Sequence, residues 1–175
     1  GKAIKELTSL PQIIGGYDQD SVEATVAVFR ELTPTTVRVE SLEAAEMCKL
    51  INNTFRDYVF AYSNQLSLIA SEFNIDAVKT IKAANEGYPR NTVPLPSPGV
   101  GGPCLTKDPY IFNTSIKKHA TESNIFTQSR QINDSMHQYT FDRVMNELRL
   151  INKDPKNSNV LICGLAFKGY PETGD

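Results

Sequence analysis

The sequence predicts a mainly α-helical domain built around one very long helix, with strand pieces of α/β sheets near its two ends. Three observations predict it. Apolar residues at helical spacing run without a break from about residue 41 to residue 73. Two more helical stretches follow a loop crowded with proline and glycine between residues 87 and 104. Continuous apolar composition, the mark of a strand buried on both faces, occurs in Asn159 to Phe167.

Composition narrows the classes. The 175 residues slightly exceed one average domain of about 150. Apolar residues at 40% allow a core, and charged residues at 22% argue against wholesale disorder. A net charge of −2 gives no electrostatic case for nucleic acid or an anionic membrane as partner. No apolar run reaches the roughly 18 residues of a membrane span, and no basic-then-apolar leader is visible. Cys48, Cys104 and Cys163 are odd in number and far apart, and the histidines are His119 and His137. That set predicts neither a structural zinc site nor a disulfide framework, so reduced thiols in the cytoplasm are expected.

The elements follow in order. A helix is predicted over 19–31, capped by Asp18 or Asp20, with Val22, Val26 and Phe29 on one face. Thr36 to Glu40 has strand composition. Ser41 starts the long helix, a rod of about 48 Å at ~1.5 Å per residue. Its apolar residues, Leu50, Phe55, Val59, Tyr62, Leu66 and Ile69, lie on more than one face and require partners on several sides. A kink near Ser63-Asn64 is the alternative. Asn74 or Asp76 caps a short helix from Ala77 to Glu86, and helices are predicted over 105–119 and 123–151. Asp154 to Ser158 is a polar linker. The strand 159–167 has no partner in the chain, so the sequence is expected to be a piece ending shortly inside a further α/β domain.

Two constellations carry possible chemistry. Lys49, Asn53 and Arg56 fall at i, i+4 and i+7, one stripe of one helix. An ammonium and an amide side by side suit an oxyanion, though a solvated helix edge has the same appearance. The second is Pro98-Gly99-Val100-Gly101-Gly102-Pro103-Cys104-Leu105-Thr106-Lys107-Asp108. Glycines there let the backbone approach a ligand, and a helix start favours thiolate over thiol. Asp108 lies one turn beyond Cys104, where a carboxylate can serve as base for water after covalent catalysis. Cys104 also reads as an ordinary small buried residue. No β–α–β unit with a phosphate-binding turn is recognisable, so the chain by itself is not expected to hold a dinucleotide.

Together, Glu46-Met47-Cys48-Lys49-Leu50-Ile51-Asn52-Asn53 and Gly99-Val100-Gly101-Gly102-x-Cys104-x-x-Lys107-Asp108 resemble the UDP-glucose/GDP-mannose dehydrogenase family of nucleotide-sugar 6-dehydrogenases. Pro11 to Gly16 resembles the end of that family's NAD-binding domain, and Gly164 to Lys168 the start of its nucleotide-sugar-binding domain. The resemblance implies three parts: residues 1–40 closing the NAD-binding domain, 41–154 forming the central helical dimerisation and catalytic domain, and 155–175 opening the third, truncated domain. It implies NAD as cofactor, a nucleotide-sugar substrate and a homodimer through the long helix. Cys104 would carry a thiohemiacetal and then a thioester, Lys49 and Asn53 would hold the oxyanion, and Asp108 would position water. Arg90, Gly101, Gly102 and Lys168 would contact substrate, Arg90 in the neighbouring subunit's site, and Lys107 would contact cofactor.

Pro109-Tyr110, Arg56-Asp57 and the Arg90-to-Cys104 spacing resemble the UDP-N-acetylmannosamine/N-acetylglucosamine branch. Pro103, where that branch has His, and Lys107, typical of the UDP-glucose and GDP-mannose branches, depart from it. Two other readings stand beside this one. A helical dimerisation module would have no chemistry of its own. A β-hydroxyacid dehydrogenase would also place Lys and Asn on one helix but needs no cysteine.

Overall fold

The computed structural model describes residues 3–115 and 124–164. They fall into two compact units, one up to Asn52 and one from Asn53 onward.

In the first unit, α1 (Ala3–Ser9) precedes β1 (Gln12–Ile14), α2 (Gln19–Arg30) and β2 (Thr36–Arg38). The strands are parallel, with Gln12 opposite Thr36, Ile13 opposite Val37 and Ile14 opposite Arg38. A parallel pair needs a crossover, and α2 supplies it. Val22 and Val26, four residues apart, pack with Ile14 as a small core, with Phe29 against it. Periodicity predicts α2 but misses α1 and β1, and with them the β–α–β unit. Its helix start is already filled: the Asp18 carboxylate accepts from Ser21 N at 2.8 Å, and Asp18 N donates to Ser21 Oγ at 3.1 Å. That backbone hydrogen bond holds the Asp18 carboxyl below its ordinary pKa. The glycines after β1 are filled as well, since a Cβ on Gly15 would lie 2.1 Å from the Ser41 carbonyl oxygen.

The long helix, α3, runs unbroken over Leu42–Glu72, 31 residues or about 46 Å, so the kinked alternative is set aside. Its part from Asn53 to Glu72, about 30 Å, belongs to the second unit's sequence range, with α4 (Ala77–Asn85), α5 (Asp108–Thr114), α6 (Ile125–Leu150) and a 3-10 turn at Pro155–Asn157. Asp76, not Asn74, caps α4 by accepting from Lys79 N at 3.0 Å. Asn74 instead takes a left-handed φ of 53°. Asn124 caps α6 with its side chain on the amides of Phe126 and Thr127. Phe112 of α5 meets Phe126 of α6 with ring centroids 4.9 Å apart.

The interior of this unit is polar. Ala61, Ile81, Leu105 and Met136 are buried, but so are Asn53, Thr54, Asp57, Ser63, Asn64, Asp108, Ser129, Arg130 and Asn133. On α3 the apolar face lies outside, with Phe55 63% and Tyr62 49% exposed and Tyr58 and Ile69 exposed beside them.

Three expectations are corrected. Within the described residues the helix expected over 105–119 is α5, because residues 103–107 form turns before it. The described part of the expected 159–167 strand, residues 159–164, is irregular. Val160, Leu161 and Ile162 are exposed there, since no neighbouring strand covers them. Cys163 is accordingly exposed and not buried in a sheet. Among the described residues no helix is long and apolar enough to cross a membrane.

Candidate active site

The second unit brings together four of the residues singled out in the sequence. The chain turns at Gly102, whose φ of +96° suits glycine, and winds through Cys104 into α5. The Cys104 carbonyl accepts from Lys107 N at 3.3 Å and Asp108 N at 2.9 Å, so Asp108 stands one turn beyond the cysteine. Cys104 itself is exposed, which removes the reading of a small buried residue. Asp108 is buried, and both its oxygens are engaged: Asn53 Nδ2 donates to Oδ2 at 2.5 Å and Lys107 Nζ to Oδ1 at 2.7 Å. Asn53 reaches it from α3. The carboxylate orients the Asn53 amide, whose NH2 carries a second hydrogen to donate elsewhere.

Charge is concentrated here. The hydrogen bond that Lys107 donates to Asp108 raises its ammonium above the ordinary lysine pKa, and attraction to Asp108 and to Cys104 adds to it. Lys107 thus holds its positive charge on the same turn that carries the exposed Cys104.

Lys49 is exposed on α3, one turn before Asn53 and within the first unit's range. Arg56 is exposed on α3 and borders a shallow hollow with Phe60, Thr92 and Pro94. Arg90 is exposed in the segment after α4, outside the Asn53–Lys107–Asp108 cluster of hydrogen bonds. Gly101 and Gly102 lead into the Cys104 turn, and Lys168 lies outside the described residues.

The residues that hold the cysteine loop were not among those singled out. Asn85 pairs its amide with both backbone groups of Val93, at 2.8 and 2.9 Å. Ser63 Oγ donates to Pro94 O at 2.6 Å, and Ser97 N donates to Asn64 Oδ1 at 2.8 Å. Asn64 and Asn133 join α3 to α6 at 2.9 Å, and Asn133 donates to both the carbonyl and the carboxylate of Asp57. Arg130 pairs with Asp57 at 2.5 Å, both fully buried. Burial pushes the Asp57 carboxyl above its ordinary pKa, and Arg130 and Asn133 pull it back. The available signal was polar spacing: Asn53, Asp57 and Asn64 stand at i, i+4 and i+11 on α3.

In this mainly helical chain a long helix thus supplies an amide to a buried carboxylate, one turn beyond an exposed cysteine on a glycine-rich turn. The chain belongs to the UDP-glucose/GDP-mannose dehydrogenase family, whose central-domain model matches residues 43–135. It is 32% identical to a UDP-N-acetyl-D-mannosamine dehydrogenase of Methanococcus vannielii over 98% of this chain and 39% of the relative. It is 34% identical to an NDP-N-acetyl-D-galactosaminuronic acid dehydrogenase of Ralstonia nicotianae over 96% of this chain and 38% of the relative. Its fold matches the solved UDP-D-ManNAc dehydrogenase of Pyrococcus horikoshii with a TM-score of 0.78 and 30% identity, over 89% of this chain and 36% of that one. The chain thus spans about two fifths of the length of these relatives.

Proposed function

We propose that this chain is the cysteine-bearing central part of an NAD-dependent dehydrogenase that oxidises the C6 alcohol of a UDP-N-acetylhexosamine to a carboxylate. The observation that carries the reading is the Asn53–Asp108–Lys107 cluster beside exposed Cys104. The relatives named for N-acetylated sugars support the substrate class. In this reading residues 1–40 close an NAD-binding domain, 41–154 form the central domain and 155–175 open a nucleotide-sugar-binding domain.

The cofactor, when bound, accepts one hydride at each of the two oxidations. The described residues do not form a seat for its diphosphate, because Asp18 occupies the α2 start and Ser41 crowds Gly15. This chain's part is the sulfur chemistry. The Cys104 thiolate adds to the C6 aldehyde carbon, forming a C–S bond and placing negative charge on oxygen. Lys49 and the second N–H of Asn53 hold that oxyanion. Oxidation of the resulting thiohemiacetal leaves a thioester. Water, positioned by Asp108, then adds to the thioester carbonyl, the C–S bond breaks, and Cys104 leaves as thiolate. Arg90 contacts the substrate of the partner subunit in a homodimer formed through the exposed apolar face of α3, and Gly101, Gly102 and Lys168 contact the substrate of their own subunit.

In the full-length protein with UDP-N-acetylmannosamine, two NADH should form per sugar consumed. Cys104→Ala should abolish acid formation, whereas continued acid formation by that variant would sink the reading. The 175-residue chain alone should show neither activity nor micromolar binding of NAD by calorimetry.

A further inference from the structure

Arg130 is fully buried on α6, and the geometry of its guanidinium accounts for every N–H it has. Nε donates to Asp134 Oδ1 at 3.1 Å, and Nη2 donates to the same oxygen at 2.8 Å and to Val100 O at 2.8 Å. Nη1 donates to Asp57 Oδ1 at 2.5 Å and to Leu105 O at 3.3 Å. Five donors meet two carboxylates and two carbonyls. The two carbonyls, of Val100 and Leu105, bracket Gly101-Gly102-Pro103-Cys104. This stretch contains two glycines and would otherwise be the least constrained part of the loop.

We propose that Arg130 is a positioning residue for Cys104, clamping the glycine turn at both ends so that the sulfur is held relative to the Asn53–Asp108 pair. This rests on the reading of Cys104 as nucleophile. The two carboxylates anchor the clamp from opposite sides: Asp57, on α3 and held by Asn133, and Asp134, one turn along α6. A guanidinium is needed because its rigid fork serves two carbonyls and two carboxylates at once, whereas a lysine has three donors on one nitrogen. The expected consequence of loosening the clamp is misplacement of the nucleophile, which lowers kcat, with little effect on binding.

The test compares Arg130→Lys with the wild-type full-length protein. The amides of residues 99–106 should exchange hydrogen about tenfold faster, while the central amides of α6 keep their protection. Acid formation should fall about 100-fold in kcat, with KM for the sugar nearly unchanged, as expected for a misplaced reacting group. Unchanged exchange in the loop, or a loosened loop with kcat retained, overturns the proposal. If Arg130→Lys does not fold, Asp134→Asn reads the same variable, because Asp134 is half exposed and its loss spares the Arg130–Asp57 pair. Loop exchange should then rise about threefold, and unchanged exchange overturns the proposal. Cys104→Ala separates the two readings. If that variant still forms acid, the nucleophile assignment fails and the clamp positions nothing. If it is inactive while Arg130→Lys keeps wild-type kcat and loop protection, only the clamp fails.

Discussion

Single residues decide two features. A methyl on Gly15 would meet the Ser41 carbonyl oxygen and carbon at 2.1 and 2.8 Å, and both are backbone atoms that cannot rotate away. Gly15→Ala should therefore cost about 3 kcal/mol in urea unfolding, at the upper end for overpacking. Gly87→Ala is a useful contrast: a Cβ there meets nothing within 4 Å, and its cost arises from the positive φ of 67°. The cysteines make a second case. Cys104 and Cys163 are both exposed, and Cys48 is half buried on α3. Brief alkylation of the folded chain followed by mass spectrometry should label Cys104 and Cys163 early and Cys48 last. Early labelling of Cys48 would contradict its placement.

Among the elements, α4 should respond to acid through its cap. The hydrogen bond from Lys79 N holds the Asp76 carboxyl below its ordinary pKa of 3.8, with the Lys79 charge adding to it. A carboxyl depressed in the folded state contributes stability above 3.8 that is lost as pH falls through its lower, folded value. Asp76→Asn keeps a good cap without titrating, so its α4 amides should lose less protection on acidification than wild type. An identical acid response in both would argue against the cap. The helices were legible because their signals are local: Asp18, Ser41 and Asp76 begin them, and α3 meets no glycine or proline over its length. The strand β1 was not, because its three residues show no period and become a strand only by pairing with residues more than twenty positions away. Of the residues named from the sequence, the structure joins Asn53, Lys107 and Asp108 by hydrogen bonds, one turn from Cys104; residue type and spacing were enough to name them. Their support was not legible, because Asn64, Arg130 and Asn133 are polar residues at helical spacing, which periodicity assigns to solvent. Only their tertiary partners bury them.

At the scale of the molecule, the proposed homodimer makes its own demand. Interfaces of obligate dimers commonly bury more than about 2,000 Å², and the exposed Phe55, Tyr58, Tyr62 and Ile69 supply an apolar stripe along α3 for one. Tyr62→Glu should shift the chain toward monomer in sedimentation equilibrium, and a wild-type monomer at micromolar concentration would count against the dimer. Arg90→Ala should leave the dimer intact while impairing the full-length enzyme, because its assigned role is contact with the neighbour's substrate. The polar interior of the second unit then has a thermodynamic corollary. Hydrogen-bonded amides and ion pairs specify an arrangement but contribute little net driving force for collapse, and in the proposed dimer much of the apolar surface on α3 would be covered only when two chains meet. Folding would be coupled to association, so that part of the stability is second order in chain. Dilution would act as a denaturant, lowering the melting temperature with each decade of concentration.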